Sequence, residues 1–193
     1  MDLYREATAQ RHTEQLTELV ASAAKPDTLV LGDSYFERLL WNHDLDVHRK
    51  SLAPLRPAIF AKGGDKVEHL NWRIKNLLEN LPDQLSNVKR IILFIGLNNG
   101  AKERALTDKI QCGIDRLRTV WPTVPLYVLT LPPVPSIAPA SLVGLNTSIQ
   151  RLTDCTVIDP WAGIGDPTHF CDHIHLSPTG YQIWLDNLLA LIA

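Results

Sequence analysis

The sequence predicts an α/β protein: a three-layer α/β/α sandwich with a five-stranded parallel sheet as its middle layer. Five short runs rich in aliphatic and β-branched residues lack the alternation of half-exposed strands, which is typical of strands buried on both faces. Longer stretches with helical spacing separate these runs. Because strand and helix alternate, we expect right-handed βαβ crossovers and therefore parallel strands.

The predicted strands are 28–31, 58–61, 90–95, 126–131 and 156–158. The predicted helices are 3–22, 35–41, 67–80, 103–121, 142–152 and 178–192. Ser177 and Pro178 favour a helix start, because serine is a preferred N-cap and proline fits the first helical position. The proline-rich segment 131–139 is predicted to be a stiff loop over one end of the sheet. We expect one domain over residues 1–193, with an N-terminal helix within 1–24 packed on the core.

Composition and charge exclude several classes of function. The 193 residues are 45% hydrophobic and 21% charged, so the chain can form a core without metal or disulfide crosslinks. A formal net charge of -2 provides no broad basic field, and nucleic acid is not an expected partner. No stretch approaches the roughly 20 apolar residues that a membrane span requires.

The N-terminus and the cysteines favour a reducing compartment. Residues 1–24 carry charged side chains at intervals and contain no apolar run of the kind found in secretory leaders. The three cysteines, Cys112, Cys155 and Cys171, cannot all pair with one another. We therefore expect a cytoplasmic protein with free thiols.

The end of the first predicted strand carries a candidate nucleophile. In the run TLVLGDSYFERLLW, Gly32 permits a tight turn, and Asp33 and Ser34 directly precede the next helix. A serine there has its hydroxyl clear of the sheet and its amide at a helix N-terminus, where negative charge is stabilised. Asp and Ser are also preferred helix caps, so the segment alone is equally compatible with a plain N-cap.

Glycine and asparagine residues follow the second and third predicted strands. Gly63 and Gly64 allow the backbone to approach a ligand, and Asp65 is expected to cap the following helix. In RIILFIGLNNG, the side-chain amide of Asn98 would be a neutral donor suited to an oxyanion. Each run is also an ordinary turn signal, and its position at a strand end is what points to a site.

An acid and a base occur shortly before the last helix, in HFCDHIHLSPTGYQIW. His175 follows Asp172 by three residues, so one turn can join the carboxylate to one ring nitrogen and leave the other free. A loop histidine is also commonly structural. With Ser34 after the first strand, the chain order Ser, Asp, His permits a triad in the cleft at the strand ends.

A metal site is the rival interpretation of this last segment. Five potential ligands are close together in sequence: His169, Cys171, Asp172, His173 and His175. A structural zinc site usually takes a second group of ligands at a suitable spacing, and the other two cysteines stand alone. Three ligands from this loop could still hold a catalytic zinc ion, but that interpretation leaves the serine, glycine and asparagine runs without a role.

Four blocks in register carry a family resemblance: GDS at 32–34, GGD at 63–65, GLNN at 96–99, and DHIH with LSPTGY at 172–181. They resemble the SGNH (GDSL-type) hydrolases and, within that family, the catalytic subunits of intracellular platelet-activating factor acetylhydrolases. The resemblance covers residues 28–189. It implies the flavodoxin-like SGNH hydrolase fold.

The resemblance also implies roles for five residues. Ser34 corresponds to the nucleophile, His175 to the base, and Asp172 to the acid that orients the base. Gly64 and Asn98 correspond to oxyanion-hole donors, together with the backbone amide of Ser34. The implied activity is that of a serine esterase, which hydrolyses small acyl esters, acetyl esters above all, through an acyl-enzyme. It requires no metal and no organic cofactor.

Two alternatives fit the same residues. An acyltransferase would use the same serine and differ only in the acceptor that takes the acyl group. A non-catalytic module would keep the cleft for binding, and the resemblance admits a homodimer. Tyr35 and Phe36 are bulkier than the residues many family members carry after the serine, and they either narrow the acyl pocket or belong to the core.

Three loops are expected to shape the site for the alcohol half of the ester: 99–102, 131–140 and 160–171. Trp161 and Phe170 lie on or beside the last of them. They either form an apolar wall of that site or pack the loop itself.

Overall fold

The computed structural model describes residues 3–22, 25–100 and 105–193. In these residues, five parallel strands form one sheet in the order β2-β1-β3-β4-β5. The strands are β1 (Thr28–Gly32), β2 (Pro57–Ala61), β3 (Arg90–Leu93), β4 (Leu126–Leu129) and β5 (Thr156–Ile158). The helices are α1 (Leu3–Ala21), α2 (Ser34–Trp41), α3 (Asp46–Ser51), α4 (Val67–Glu79), α5 (Leu106–Val120), α6 (Pro139–Ile149) and α7 (Pro178–Ile192). The predicted three-layer α/β/α fold is confirmed.

The strand order explains where a site can form. From β1 the chain passes to β2 at one edge of the sheet and then crosses to β3 on the other side of β1. This is the flavodoxin-like order, in which a crevice opens at the carboxyl ends of the strands where the winding reverses. The crevice therefore lies between β1 and β3, next to residues 32–34 and 96–99.

Two strands end two residues earlier than predicted, because the sheet gives way to loops at its carboxyl end. After β3, Phe94 N still donates to Leu31 O at 3.0 Å. After β4, Thr130 N still donates to Ile158 O at 3.0 Å. These residues continue the hydrogen bonding of the sheet while the chain turns toward the crevice.

The helices differ from the prediction at two places. α6 begins at Pro139, three residues earlier than predicted, and ends at Ile149. Proline fits the first turn because its missing N–H would be unpaired there anyway. α3 was not predicted, since a helix of six residues between two 3-10 turns is too short to show a helical period. The predicted loop 131–139 is irregular up to residue 138.

Some predicted segments include residues outside those described. They are 1, 2, 23 and 24 of the predicted N-terminal helical segment, 103 and 104 at the predicted start of α5, and 101 and 102 of a predicted substrate loop.

The sheet and helices enclose an apolar core. Every residue of β1 is buried. α7 directs Tyr181, Trp184 and Leu188 into the core, and α4 directs Leu70 and Ile74 into it. Within the described ranges, none of the helices is both long and apolar enough to cross a membrane.

Polar contacts tie α1 to the carboxyl end of β2. Thr8, His12 and Gln15 on α1 are buried. The side-chain amide of Gln15 donates to Ala61 O at 2.9 Å, at the last residue of β2. α1 thereby lies close to residues 63–65, the second block of the resemblance.

His12 on α1 is buried beside two aromatic rings. Its ring lies 5.8 Å from that of Phe60 and 5.6 Å from that of Trp72, centroid to centroid. Neither ring nitrogen has a partner among the described residues. Burial, aided by the charge of Arg73, lowers the pKa of His12 to about 4. The imidazole is therefore neutral in the folded protein at neutral pH.

The His12→Phe variant is expected to resist acid better than the wild type. The unfolded chain takes up a proton at His12 below pH 6.5 and the folded chain only near pH 4, so stability is lost as pH falls between these values. Between pH 7 and pH 4 the wild type should lose roughly 2–3 kcal/mol more than the variant. Urea unfolding at both pH values measures this difference. His43→Phe is the control, because the His43 side chain is 97% exposed. An equal loss of unfolding free energy between pH 7 and pH 4 in the wild type and in His12→Phe would contradict the account.

Candidate active site

Ser34 opens α2 directly after β1. Asp33 caps the helix, because its Oδ1 accepts a hydrogen bond from Tyr35 N at 3.1 Å. The hydroxyl of Ser34 is therefore not needed as the cap. Gly32 allows this turn to pack closely, since a Cβ at that position would lie 2.8 Å from the Phe36 ring.

Ser34, His175 and Asp172 form a continuous series of contacts. Ser34 Oγ lies 3.1 Å from His175 Nε2, and His175 Nδ1 lies 2.8 Å from Asp172 Oδ2. Ser34 is 8% exposed, whereas the side chains of His175 and Asp172 are 25% and 40% exposed. The structure thus brings an alcohol, an imidazole and a carboxylate within hydrogen-bond distance in series. That arrangement can transfer a proton from the alcohol to the imidazole.

Asp172 is held as a carboxylate by the turn it belongs to. Its Oδ1 accepts hydrogen bonds from Ile174 N and His175 N, both at 2.7 Å. Partial burial raises the pKa of Asp172, but these amides and the His175 ring outweigh it and lower the pKa to about 2. Asp172 is therefore ionised at neutral pH and can accept a hydrogen bond from His175 Nδ1.

Gly64 lies in the loop after β2, which passes beside Ser34. A Cβ on Gly63 would lie 3.5 Å from Ser34 Cβ, so the two backbones are close. Gly63 N donates to Glu37 Oε2 at 2.7 Å, which anchors the loop to α2. Gly64 has φ of 77°, a conformation that favours glycine. Gly64 therefore directly follows a residue whose backbone lies beside Ser34.

Asn98 and Asn99 lie in the loop after β3. Asn98 Nδ2 donates to Asp65 O at 3.0 Å and lies 3.5 Å from Asp33 Oδ2. Asn99 Oδ1 accepts from Val67 N at 3.0 Å, at the start of α4. The two asparagines therefore join the loop after β3 to the loop after β2. The Asn98 amide lies next to the residue that precedes Ser34.

Asp65 does not cap α4, and that prediction is wrong. Asp65 Oδ2 pairs with Arg73 Nε at 2.7 Å, and Asp65 Oδ1 accepts from Thr8 Oγ1 at 2.8 Å. Both charged side chains are 0% exposed. At the helix start, Lys66 N instead donates to His69 Nδ1 at 3.0 Å. The carboxylate faces inward because a buried cation of α4 requires an opposite charge.

Asp33 is a further buried acid of the site. From the sequence it was predicted only as part of the turn before α2. It is 0% exposed. Burial raises the pKa of Asp33 to about 8, and the nearby Asp65 contributes to the shift. The signal that could have identified it is the position of a carboxylate between a fully buried strand and a helix.

The aromatic residues near Ser34 belong to the core. Tyr35 and Phe36 are 0% exposed, so they do not narrow an acyl pocket. Trp161 is 6% exposed, and its Nε1 donates to Thr130 O at 2.8 Å. Phe170 is half-buried and packs against the core. Trp161 therefore packs the interior rather than forming an exposed wall.

The five potential metal ligands of the last loop do not come together. In the part of the chain that the structure describes, no group of three or more His, Cys, Asp or Glu side chains is arranged to hold a metal ion. Asp172 and His175 pair with each other instead. Cys112, Cys155 and Cys171 are free thiols.

Comparison with known proteins finds relatives by sequence. The alpha2 subunit of platelet-activating factor acetylhydrolase IB from Homo sapiens is 27% identical over 173 residues, which cover 81% of this chain and 72% of the relative. The alpha1 subunit from Bos taurus is 26% identical and covers 81% of this chain and 71% of the relative. No protein-family model matches the chain.

Comparison by structure finds the same fold in a GDSL-like lipase from Bacteroides thetaiotaomicron. The TM-score is 0.72 at 15% identity, over 94% of this chain and 96% of the lipase. At that identity the likeness concerns the fold alone, and it agrees with the sequence relatives. The chain is thus similar to proteins of the SGNH (GDSL-type) hydrolase family. In this chain, the four sequence blocks lie at the ends of β1, β2 and β3 and in the segment that leads into α7.

Proposed function

We propose that this protein is a serine esterase in which Ser34, His175 and Asp172 act as a catalytic triad. One observation carries the proposal: Ser34 Oγ, the His175 ring and the Asp172 carboxylate contact one another in series at 3.1 and 2.8 Å. In this mechanism His175 Nε2 takes the proton of the Ser34 hydroxyl as the oxygen attacks an ester carbonyl. Asp172 keeps the other ring nitrogen protonated and stabilises the imidazolium that forms.

The oxyanion of the tetrahedral intermediate would be held by three donors. We assign the backbone amides of Ser34 and Gly64 and the side-chain amide of Asn98 to this role. The loops of Gly64 and Asn98 approach Ser34, and the Ser34 amide lies at the start of α2, where the helix dipole favours negative charge. Charge on the attacked oxygen would therefore develop next to fixed donors.

Collapse of the intermediate completes the first half of the reaction. The C–O bond to the alcohol breaks, His175 gives its proton to the leaving alkoxide, and the acyl group stays on Ser34. Water then attacks the acyl-enzyme and gives a proton to His175. The bond between the acyl carbon and Ser34 Oγ breaks, His175 returns the proton to Ser34 Oγ, and the acid product leaves. Each half-reaction returns His175 to the neutral state, so the cycle balances without a cofactor.

Acetyl is the proposed acyl group. The sequence relatives are named acetylhydrolases, and this supports the assignment. A panel of nitrophenyl acetate, butyrate and octanoate tests the assignment, with the highest kcat/KM expected for acetate. Analysis of products in the presence of acceptor alcohols separates hydrolysis from acyl transfer. Lack of turnover of every ester in the panel would overturn the proposal.

The Asn98→Ala variant is expected to lose turnover without losing the fold. Removal of one oxyanion donor lowers kcat by about 10² to 10³-fold in enzymes of this kind, and KM should change little. Steady-state kinetics with the acetate ester measures the split. Asn76→Ala is a matched control, because the Asn76 amide donates to Trp72 O of its own helix, α4, and not to the loops around Ser34. An Asn98→Ala enzyme with wild-type kcat would remove Asn98 from the oxyanion hole.

We also propose a cellular location, a domain organisation and an oligomeric state for this protein. We place the enzyme in the cytoplasm because its three cysteines are free thiols, which suit a reducing compartment. We take residues 1–193 as one hydrolase domain that acts on a small ester and has no nucleic-acid partner. A homodimer is proposed because the sequence relatives are named as subunits, and sedimentation of the purified protein would detect it.

A further inference from the structure

The hydroxyl of Tyr35 contacts the turn that carries His175. It donates a hydrogen bond to Ile174 O at 2.6 Å, across 139 positions of the chain. Ile174 lies between Asp172 and His175 in sequence. The residue next to Ser34 on α2 thus reaches the segment that supplies the other two members of the series.

The turn around Ile174 is a compact unit. Asp172 Oδ1 accepts hydrogen bonds from Ile174 N and His175 N, and Cys171 N donates to His175 O at 2.9 Å. A shift of the Ile174 carbonyl would therefore carry the carboxylate and the imidazole with it. The turn is also joined to the loop before α6, because Ser136 N donates a hydrogen bond to His173 O at 3.1 Å.

Tyr35 itself is rigidly placed. Its ring is 0% exposed and meets the rings of Phe94, Trp161 and Trp184 edge to face, at 5.0, 5.9 and 5.8 Å between centroids. Burial holds the pKa of Tyr35 well above its usual value, so the phenol stays protonated and can donate. The backbone of Tyr35 is held as well, since the hydroxyl of Tyr181 donates to Tyr35 O at 2.9 Å.

We propose that Tyr35 is a positioning residue that sets the distance between His175 Nε2 and Ser34 Oγ through its hydrogen bond to Ile174 O. The inference rests on the proposed esterase function. Ser34 and Tyr35 are consecutive in the first turn of α2, so one piece of backbone fixes both the attacking oxygen and the donor that holds the base. His175 is itself partly exposed, so the turn depends on such anchors to stay in place.

The Tyr35→Phe variant removes the hydroxyl and keeps the ring. We expect kcat for the acetate ester to fall about tenfold with KM nearly unchanged, because a small displacement of the base affects the chemical step and not substrate binding. The rate of labelling by a fluorophosphonate should fall by the same factor. Tyr127→Phe is the control, since it also removes one tyrosine hydroxyl but lies on β4, outside the aromatic cluster around Tyr35, and leaves the Tyr35 to Ile174 bond intact.

A spectroscopic signature completes the test. The proton on His175 Nδ1, bonded to Asp172, should give a far-downfield NMR signal in the wild type and in Tyr127→Phe, and a broadened or shifted one in Tyr35→Phe. Thermal unfolding checks that both variants fold. Wild-type kcat, labelling and signal in Tyr35→Phe would overturn this inference and leave the esterase proposal intact. A wild-type protein that neither hydrolyses esters nor reacts with the fluorophosphonate would overturn the esterase proposal. In that case an unchanged His175 NMR signal in Tyr35→Phe would still refute the positioning role of Tyr35.

Discussion

The Ser34→Ala variant is expected to lose at least about 10⁴-fold in ester hydrolysis while keeping its fold. The hydroxyl that would attack the ester is gone. His175 Nε2, which lies 3.1 Å from Ser34 Oγ in the wild type, is left without the alcohol from which it would take a proton. The fold should survive because Asp33, and not Ser34, caps α2. Alanine is also the residue that an α-helix tolerates best.

Ester hydrolysis and thermal unfolding, measured on the same preparations, check this result. Ser148→Ala is a matched control, because the exposed Ser148 hydroxyl donates to Gly144 O of its own helix, α6. That variant should hydrolyse esters at the wild-type rate. Substantial activity in a folded Ser34→Ala enzyme would remove Ser34 as the nucleophile.

The Arg73→Ala variant is expected to lose about 3–5 kcal/mol of folding free energy. Arg73 and Asp65 are both 0% exposed and pair at 2.7 Å, so the change leaves a buried carboxylate without its cation. Thr8 would still donate to Asp65 Oδ1. A single neutral hydrogen bond does not replace the charge. Urea unfolding at pH 7 measures the loss.

Lys75→Ala is the control for Arg73, since it lies on the same helix in an exposed ion pair with Glu79 at 3.6 Å. An exposed pair of this kind contributes at most about 0.5 kcal/mol. Because Asp65 follows Gly64 directly, any Arg73→Ala protein that still folds should also lose turnover. Equal stability of the Arg73 and Lys75 variants would show that the buried pair does not stabilise the fold.

The sequence predicts the fold well because the strands are short, apolar and separated by amphipathic helices. The same logic locates the candidate site, since in a parallel sheet the carboxyl ends of the strands lie at one edge. Ser34, Gly64 and Asn98 each lie within five residues of the end of a strand, and the structure places Ser34 at the start of α2 and the other two in loops beside it. A three-residue spacing likewise suffices to join Asp172 to His175.

Pairs that are distant in sequence could not be predicted in this way. Arg73 lies in the middle of α4, where a charged residue ordinarily faces solvent, and only its position beside Asp65 explains its burial. Tyr35 offers a similar case, since nothing local indicates that its hydroxyl meets a carbonyl 139 positions away. Asp65 likewise pairs with Arg73, eight positions away, instead of capping α4. A buried charge outweighs a local capping preference, which is worth only about 1 kcal/mol.

Covalent labelling by a fluorophosphonate, followed by peptide mass spectrometry, tests the central claim most directly. A fluorophosphonate phosphonylates a serine, with loss of fluoride, only when the hydroxyl is activated by a neighbouring base. The account predicts one adduct per chain, on Ser34, that is lost in Ser34→Ala and forms far more slowly in His175→Ala. A folded wild-type protein with no adduct, or with its adduct on another residue, would contradict it.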